Sequence, residues 1–196
     1  NITNFFWIFT AGAILFTAIS LLIVIGFNQQ SLVTFIAVSS ATALALGLSY
    51  LVTQLTHDSG MHYEALDFAT QQPKQLFLAS TLIGLLGTVM DASTDIVSTL
   101  FELKQSQPKI AFKQLFLSGR QVGRSIMGPL INVLLLIFFT ETFALATLYF
   151  RTGNSVGYTF EWTMSLGFVQ AIISGIGITL TIPMASLLAA WRLEWM

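Results

Sequence analysis

Five long apolar runs, at about residues 5–27, 31–55, 76–103, 126–148 and 163–191, constrain what this chain can become. A helix needs about 20 residues to cross a bilayer core roughly 30 Å thick. Lipid offers no hydrogen-bond partners, so a spanning segment must satisfy its own backbone, and runs of this length do so as helices. The rest of the composition agrees. Of 196 residues, 55% are hydrophobic and 9% charged, and mean hydropathy is +0.78; a soluble domain carries about 25% charged residues. The expected fold is all-α, a polytopic helical membrane protein. It forms a single bundle over residues 1–196, with about five transmembrane helices and one short amphipathic cytoplasmic helix.

Cysteine is absent, which excludes disulfides and thiolate chemistry. No signal peptide is recognisable, because the first apolar run is too long and further spans follow. The chain begins at Asn1 rather than Met, so the native N-terminus is expected to have been trimmed or to be disordered.

The third run departs from the others. Leu76 to Met90 carries no charge, and then Asp91, Asp95 and Glu102 follow. Fifteen residues do not cross a bilayer, so the helix must continue past Asp91, which falls roughly 8 Å inside the boundary. Spacings of four and seven put the three acids on one helix face. Gly84, Gly87, Thr88, Thr94 and Ser98 lie on or beside that face. An ionised Asp at a helix centre costs about 2.5–3.5 kcal/mol on the insertion scale, so such acids turn toward a bundle interior and usually carry function. The plainer role is to hold helices together.

Basic residues set the orientation. Lys104, Lys109, Lys113, Arg120, Arg124 and Arg192 fall on one side, and only Lys74 and Arg151 on the other. The positive-inside bias puts the N-terminus outside and the C-terminus in the cytoplasm. Lys109, Lys113, Arg120 and Arg124 line one face of a segment whose other faces carry Ile110, Phe112, Leu115 and Phe116. This reads as an interfacial amphipathic helix at about 107–122, its bases toward lipid headgroups rather than nucleic acid. The Ala-, Ser- and Thr-rich second span suits close packing, as do Gly84, Gly87 and Gly128. Trp7, Trp162, Trp191 and Trp195 read as interfacial anchors, and Pro183 predicts a kink near 179–183.

By depth, Asn132 lies roughly 9 Å into the fourth span, matching Asp91. Asp91 with Asn132 is therefore the favoured proton or monovalent-cation site, within a wider set of ion-coupling candidates, Asp91, Asp95, Asn132, Thr94, Glu102 and Arg124. Arg124 is expected to reach Asp95 or Glu102 as a structural ion pair. Glu141 either marks an outer entry to the same ion path or, the favoured reading, snorkels to the outer surface. His57 and His62 fit no metal-ligand spacing. No metalloprotease, Walker, nucleophile-elbow or dinucleotide fingerprint occurs, and no cofactor, metal or catalytic residue is expected.

Two stretches resemble a known family. GLLGTVMDASTDIVSTLFELK (Gly84 to Lys104) and SGRQVGRSIMGPLINVLLL (Ser118 to Leu136) look like the YibE/F family of bacterial membrane proteins. The upstream hairpin around Gly26-Phe27-Asn28 is similar too. The matching positions are Gly84, Gly87, Asp91, Glu102, Gly123, Arg124, Gly128 and Asn132. Ser125 stands where the family has Asp and Pro129 where it has Thr, so no charge relay through position 125 is expected. The resemblance implies a multi-pass bacterial cytoplasmic-membrane protein, not a reaction, and a paralogous membrane partner or homo-oligomer. A looser pattern of about 50 residues is similar to the membrane halves of RND permeases and SecD/SecF proteins, by analogy only.

Two functions stay open at this stage. One is a permease or transporter component using an intramembrane acid, with substrate unknown. The other is a non-catalytic structural or accessory subunit whose acids pair with a partner. An intramembrane aspartyl protease needs two acids from facing helices, and Asp91 and Asp95 share one helix.

Overall fold

The computed structural model describes residues 3–55 and 73–195, with the side chains of 3–7, 9, 49, 51–55, 73–76, 141 and 166 outside that description. Every regular element among the described residues is helical. In order they are α1 (Thr3–Val24), α2 (Gln29–Leu55), α3 (Pro73–Ser106), α4 (Phe112–Arg151), the single turn α5 (Val156–Thr159), a π-helical turn (Phe160–Met164) and α6 (Ser165–Glu194). Among the described residues, α2, α3, α4 and α6 are long and apolar enough to cross a membrane, and α1 adds a shorter apolar stretch, Thr10–Ile25. The expected loop containing His57 and His62 lies outside the described residues, as do the side chains of Trp7 and Glu141.

Helix α6 is the hub. It packs on α2, α3 and α4, whereas α1 touches α2 and α3 at the edge. Small residues make that crowding possible. A Cβ added at Gly123 would sit against Ile182, and one at Gly119 against Ser186 and Leu100. In the other direction, Gly167 of α6 receives the Phe138 ring and Gly177 receives Leu85. Between membrane helices lipid removes the hydrophobic drive, so association depends on such close backbone approach. One core gathers Val33, Ile96, Leu100, Leu115, Ile182 and Leu193, and a second gathers Val38, Ala41, Ala45, Leu85 and Val89.

Several hydroxyls inside the bundle are satisfied locally, whereas those of Thr42, Ser93 and Thr159 are buried with no hydrogen-bond partner among the described residues. Thr81 donates to the Phe77 carbonyl at 2.7 Å, Thr181 to Gly177 at 2.7 Å and Ser186 to Ile182 at 2.6 Å. This i−4 bonding hides a polar atom within its own helix.

The basic segment corrects an expectation. There is no separate interfacial helix at 107–122 followed by a span from 126. The helix α4 runs unbroken for 40 residues, about 60 Å at 1.5 Å per residue and twice a bilayer core. Gly119 and Gly123, which read as weak helix positions, are the residues seated on α6, and that packing carries the helix through. Likewise Pro129 and Pro183 lie inside continuous helices. The turn after α4 uses Gly153 at φ 86°, and Ser155 then caps α5 by accepting from the Tyr158 amide at 3.3 Å.

Candidate functional site

The acidic face of α3 forms as its spacing predicts, but it points outward. Val89, Ala92, Ser93, Ile96, Val97 and Leu100 are buried in the bundle, while Asp91, Asp95 and Glu102 are exposed and Thr94 is half-buried. Helix periodicity alone separates the two sets. The backbone below the acids is tied up by hydroxyls: Ser98 and Thr99 donate to the Asp95 carbonyl at 3.1 and 2.7 Å. One turn before Asp91, Thr88 donates to the Leu85 carbonyl at 3.0 Å.

Helix contacts fix which residues share a depth. Gln170 of α6 donates to the Ser80 carbonyl at 3.5 Å, and Gly177 lies against Leu85 and Val89, so α3 and α6 run parallel. Gly119 faces Ser186, Gly123 faces Ile182, Met127 meets Thr179 and Phe138 meets Gly167, so α4 runs antiparallel to α6. Carrying both alignments through α6 puts Asp91 level with Thr181 and Arg124. It puts Asp95 level with Ala185 and Arg120, and Glu102 level with Arg192 and Lys113.

The expected pairing of Asp91 with Asn132 does not form. Asn132 is exposed and level with Ile83 and Gly84, about 11 Å from the depth of Asp91. Counting from a span start at 126 misplaced it, because α4 begins at Phe112 and its register is set by Gly119 and Gly123 on α6. The expected contact of Arg124 with Asp95 or Glu102 is also missing. Arg124 follows Gly123, and one residue turns it about 100° away from α6, to the open flank it shares with Lys113 and Arg120. Among the described residues Asp91, Asp95, Glu102 and Arg124 form no ion pair. Arg120 sits 5.9 Å from the Phe116 ring centroid.

The packing glycines are also reassigned. A Cβ at Gly87 or Gly128 would meet nothing within 4 Å, and one at Gly84 would meet only Gln170 Nε2 at 3.2 Å. The close-packed positions are Gly119, Gly123, Gly167 and Gly177. The four-residue spacing of Gly119 and Gly123 was the available signal, a small-xxx-small pair. Gly87 instead borders an apolar groove of about 620 Å³ between α1 and α3, lined also by Ile8, Phe16, Ile83 and Met90. No cluster of three or more His, Asp or Glu able to hold a metal occurs among the described residues.

A family profile described as YibE/F-like protein matches residues 1–195. The chain belongs to the YibE/F family. No curated protein and no solved structure matches it. As a YibE/F member with these apolar helices it is an integral membrane protein. Gly123 and Arg124 sit side by side on α4, one packed against Ile182 of α6 and one exposed.

Proposed function

We propose that this YibE/F protein is a permease-type subunit of a membrane assembly, with the Asp91–Asp95–Glu102 face of α3 handling a proton or monovalent cation. The observation that carries the reading is a row of carboxylates on a spanning helix that its own bundle leaves uncovered. Carboxylates do not rest in lipid tails without a partner or a water path. Among the described residues the three acids of α3 are exposed rather than enclosed, so the path belongs to the assembled protein. The chain acts as a non-enzymatic component in the bacterial cytoplasmic membrane, N-terminus outside.

The test is carbodiimide labelling of Asp91, read by mass spectrometry as sodium, potassium and proton concentrations are varied. Paired with it is cation flux in proteoliposomes carrying the protein or its Asp91→Asn variant. The coupling role predicts labelling that cations suppress and flux that the substitution abolishes. Labelling indifferent to every cation, together with unchanged flux, refutes it. The same outward face supports a second reading, an accessory subunit whose acids only dock a partner. Under that reading Asp91→Asn weakens assembly and leaves ion dependence absent.

A further inference from the structure

The exposed acids of α3 have a counterpart in the same chain. Lys113, Arg120 and Arg124 are exposed along one flank of α4, at intervals of seven and four residues. Asp91, Asp95 and Glu102 are exposed along α3 at intervals of four and seven. Because α3 and α4 are antiparallel, the two orders run in register: Arg124 stands at the depth of Asp91, Arg120 at that of Asp95, Lys113 at that of Glu102. Neither row is ion-paired within the chain among the described residues.

We infer that a second copy of this chain covers the acidic face, with α4 of one copy laid along α3 of the next so that Arg124 meets Asp91 and Arg120 meets Asp95. The argument is one of depth. Copies inserted in one membrane share an orientation, so rotation about the membrane normal changes azimuth and preserves depth. Two rows of opposite charge at equal depths on one chain are therefore complementary between copies without any shift along the normal. Contact of unlike faces is heterologous, and a closing rotation makes it a ring. Inside a membrane, pairing is how acidic and basic side chains are accommodated, and guanidinium is the better partner because it is planar, always charged and weakly hydrated.

The first two pairs carry the inference. At the third level Arg192 of the same chain is as deep as Lys113, so Glu102 has a basic group at hand in either direction. Lipid headgroups are the competing cover for Arg120 and Arg124, but they leave Asp91 and Asp95 without a counter-charge. The inference stands whether or not Asp91 carries a proton, and it would make Arg124 of the neighbouring copy part of the acidic centre.

The absence of cysteine makes the test clean. A chain carrying both Asp91→Cys and Arg124→Cys is oxidised in native membranes and its bands are resolved without reductant. A disulfide needs Cα atoms about 4.4–6.8 Å apart, so only direct contact cross-links. The expected result is a shift from monomer to covalent dimers and larger forms. A control pairing Asp91→Cys with Phe139→Cys, an exposed position roughly four turns along α4, stays monomeric. In parallel, Asp91→Arg is expected to dissociate the assembly counted by single-molecule photobleaching, and adding Arg124→Asp to restore it. Both positions are exposed, so an unchanged melting temperature shows that the variants are folded. Four results each overturn the inference: no cross-link in a folded protein, equal cross-linking in the Phe139 control, linkage to a protein of different mass, or association indifferent to Asp91→Arg. A failure here leaves the flux and labelling results free to stand or fall separately.

Discussion

Replacing Gly123 with Ala is expected to destabilise the protein by about 2 kcal/mol, although alanine is the better helix former. The added Cβ would lie 2.5, 2.7 and 3.0 Å from Cγ2, Cγ1 and Cβ of Ile182. Carbon atoms in ordinary contact sit about 3.5–4.0 Å apart. Ile182 is β-branched and stiff at χ1, and one of the three atoms is its own Cβ, so no rotamer change clears the clash. Helices α4 and α6 must part by on the order of 1 Å at this contact. Overpacking costs about 1–3 kcal/mol, and three short contacts on a stiff residue argue for the upper end. Removing a helical glycine returns up to about 1 kcal/mol, which leaves a loss of about 2. Gly128→Ala is the internal comparison. It is one turn further along α4, with nothing within 4 Å of its Cβ, and should gain up to about 1 kcal/mol. Reversible SDS unfolding or thermal melting in detergent should separate the two alanine variants by about 3 kcal/mol. The packing argument fails if they melt together. It fails also if Ile182→Ala does not relieve the Gly123→Ala defect, because contacting residues should couple in a double-mutant cycle.

Other substitutions probe the local devices and the acidic face. Gly153→Ala puts a Cβ at φ 86°, a left-handed position costing an ordinary residue about 1–2 kcal/mol, and should lower the melting temperature with no packing change. Ser155→Ala removes the only side-chain cap on α5 and should cost about 1 kcal/mol, read in the same assay, with Ser155→Asp restoring it. Arg124→Gln should raise carbodiimide labelling of Asp91 in native membranes, because the neighbouring copy then brings no guanidinium. Unchanged labelling would separate Arg124 from the acidic face.

Periodicity was enough to establish several features of this protein. Runs of about 20 apolar residues imply spanning helices wherever they occur, and α2, α3, α4 and α6 follow them. Spacings of four and seven put Asp91, Asp95 and Glu102 on one face of α3, because the helical repeat belongs to the segment itself. The motifs around Asp91 and Arg124 were specific enough to point to the YibE/F family.

Tertiary structure alone decided how those segments meet. A leucine that faces lipid and a leucine that faces another helix read alike, so the direction of the acidic face was not legible, and it turned outward. Register between helices was not legible either: Asn132 left the depth of Asp91 because Gly119 and Gly123 seat α4 on α6, a contact between residues about 60 apart in the chain. The same distance hides which glycines matter. Gly128 lies on an open face and Gly123 in close contact with Ile182, and only the helix opposite each of them makes the difference.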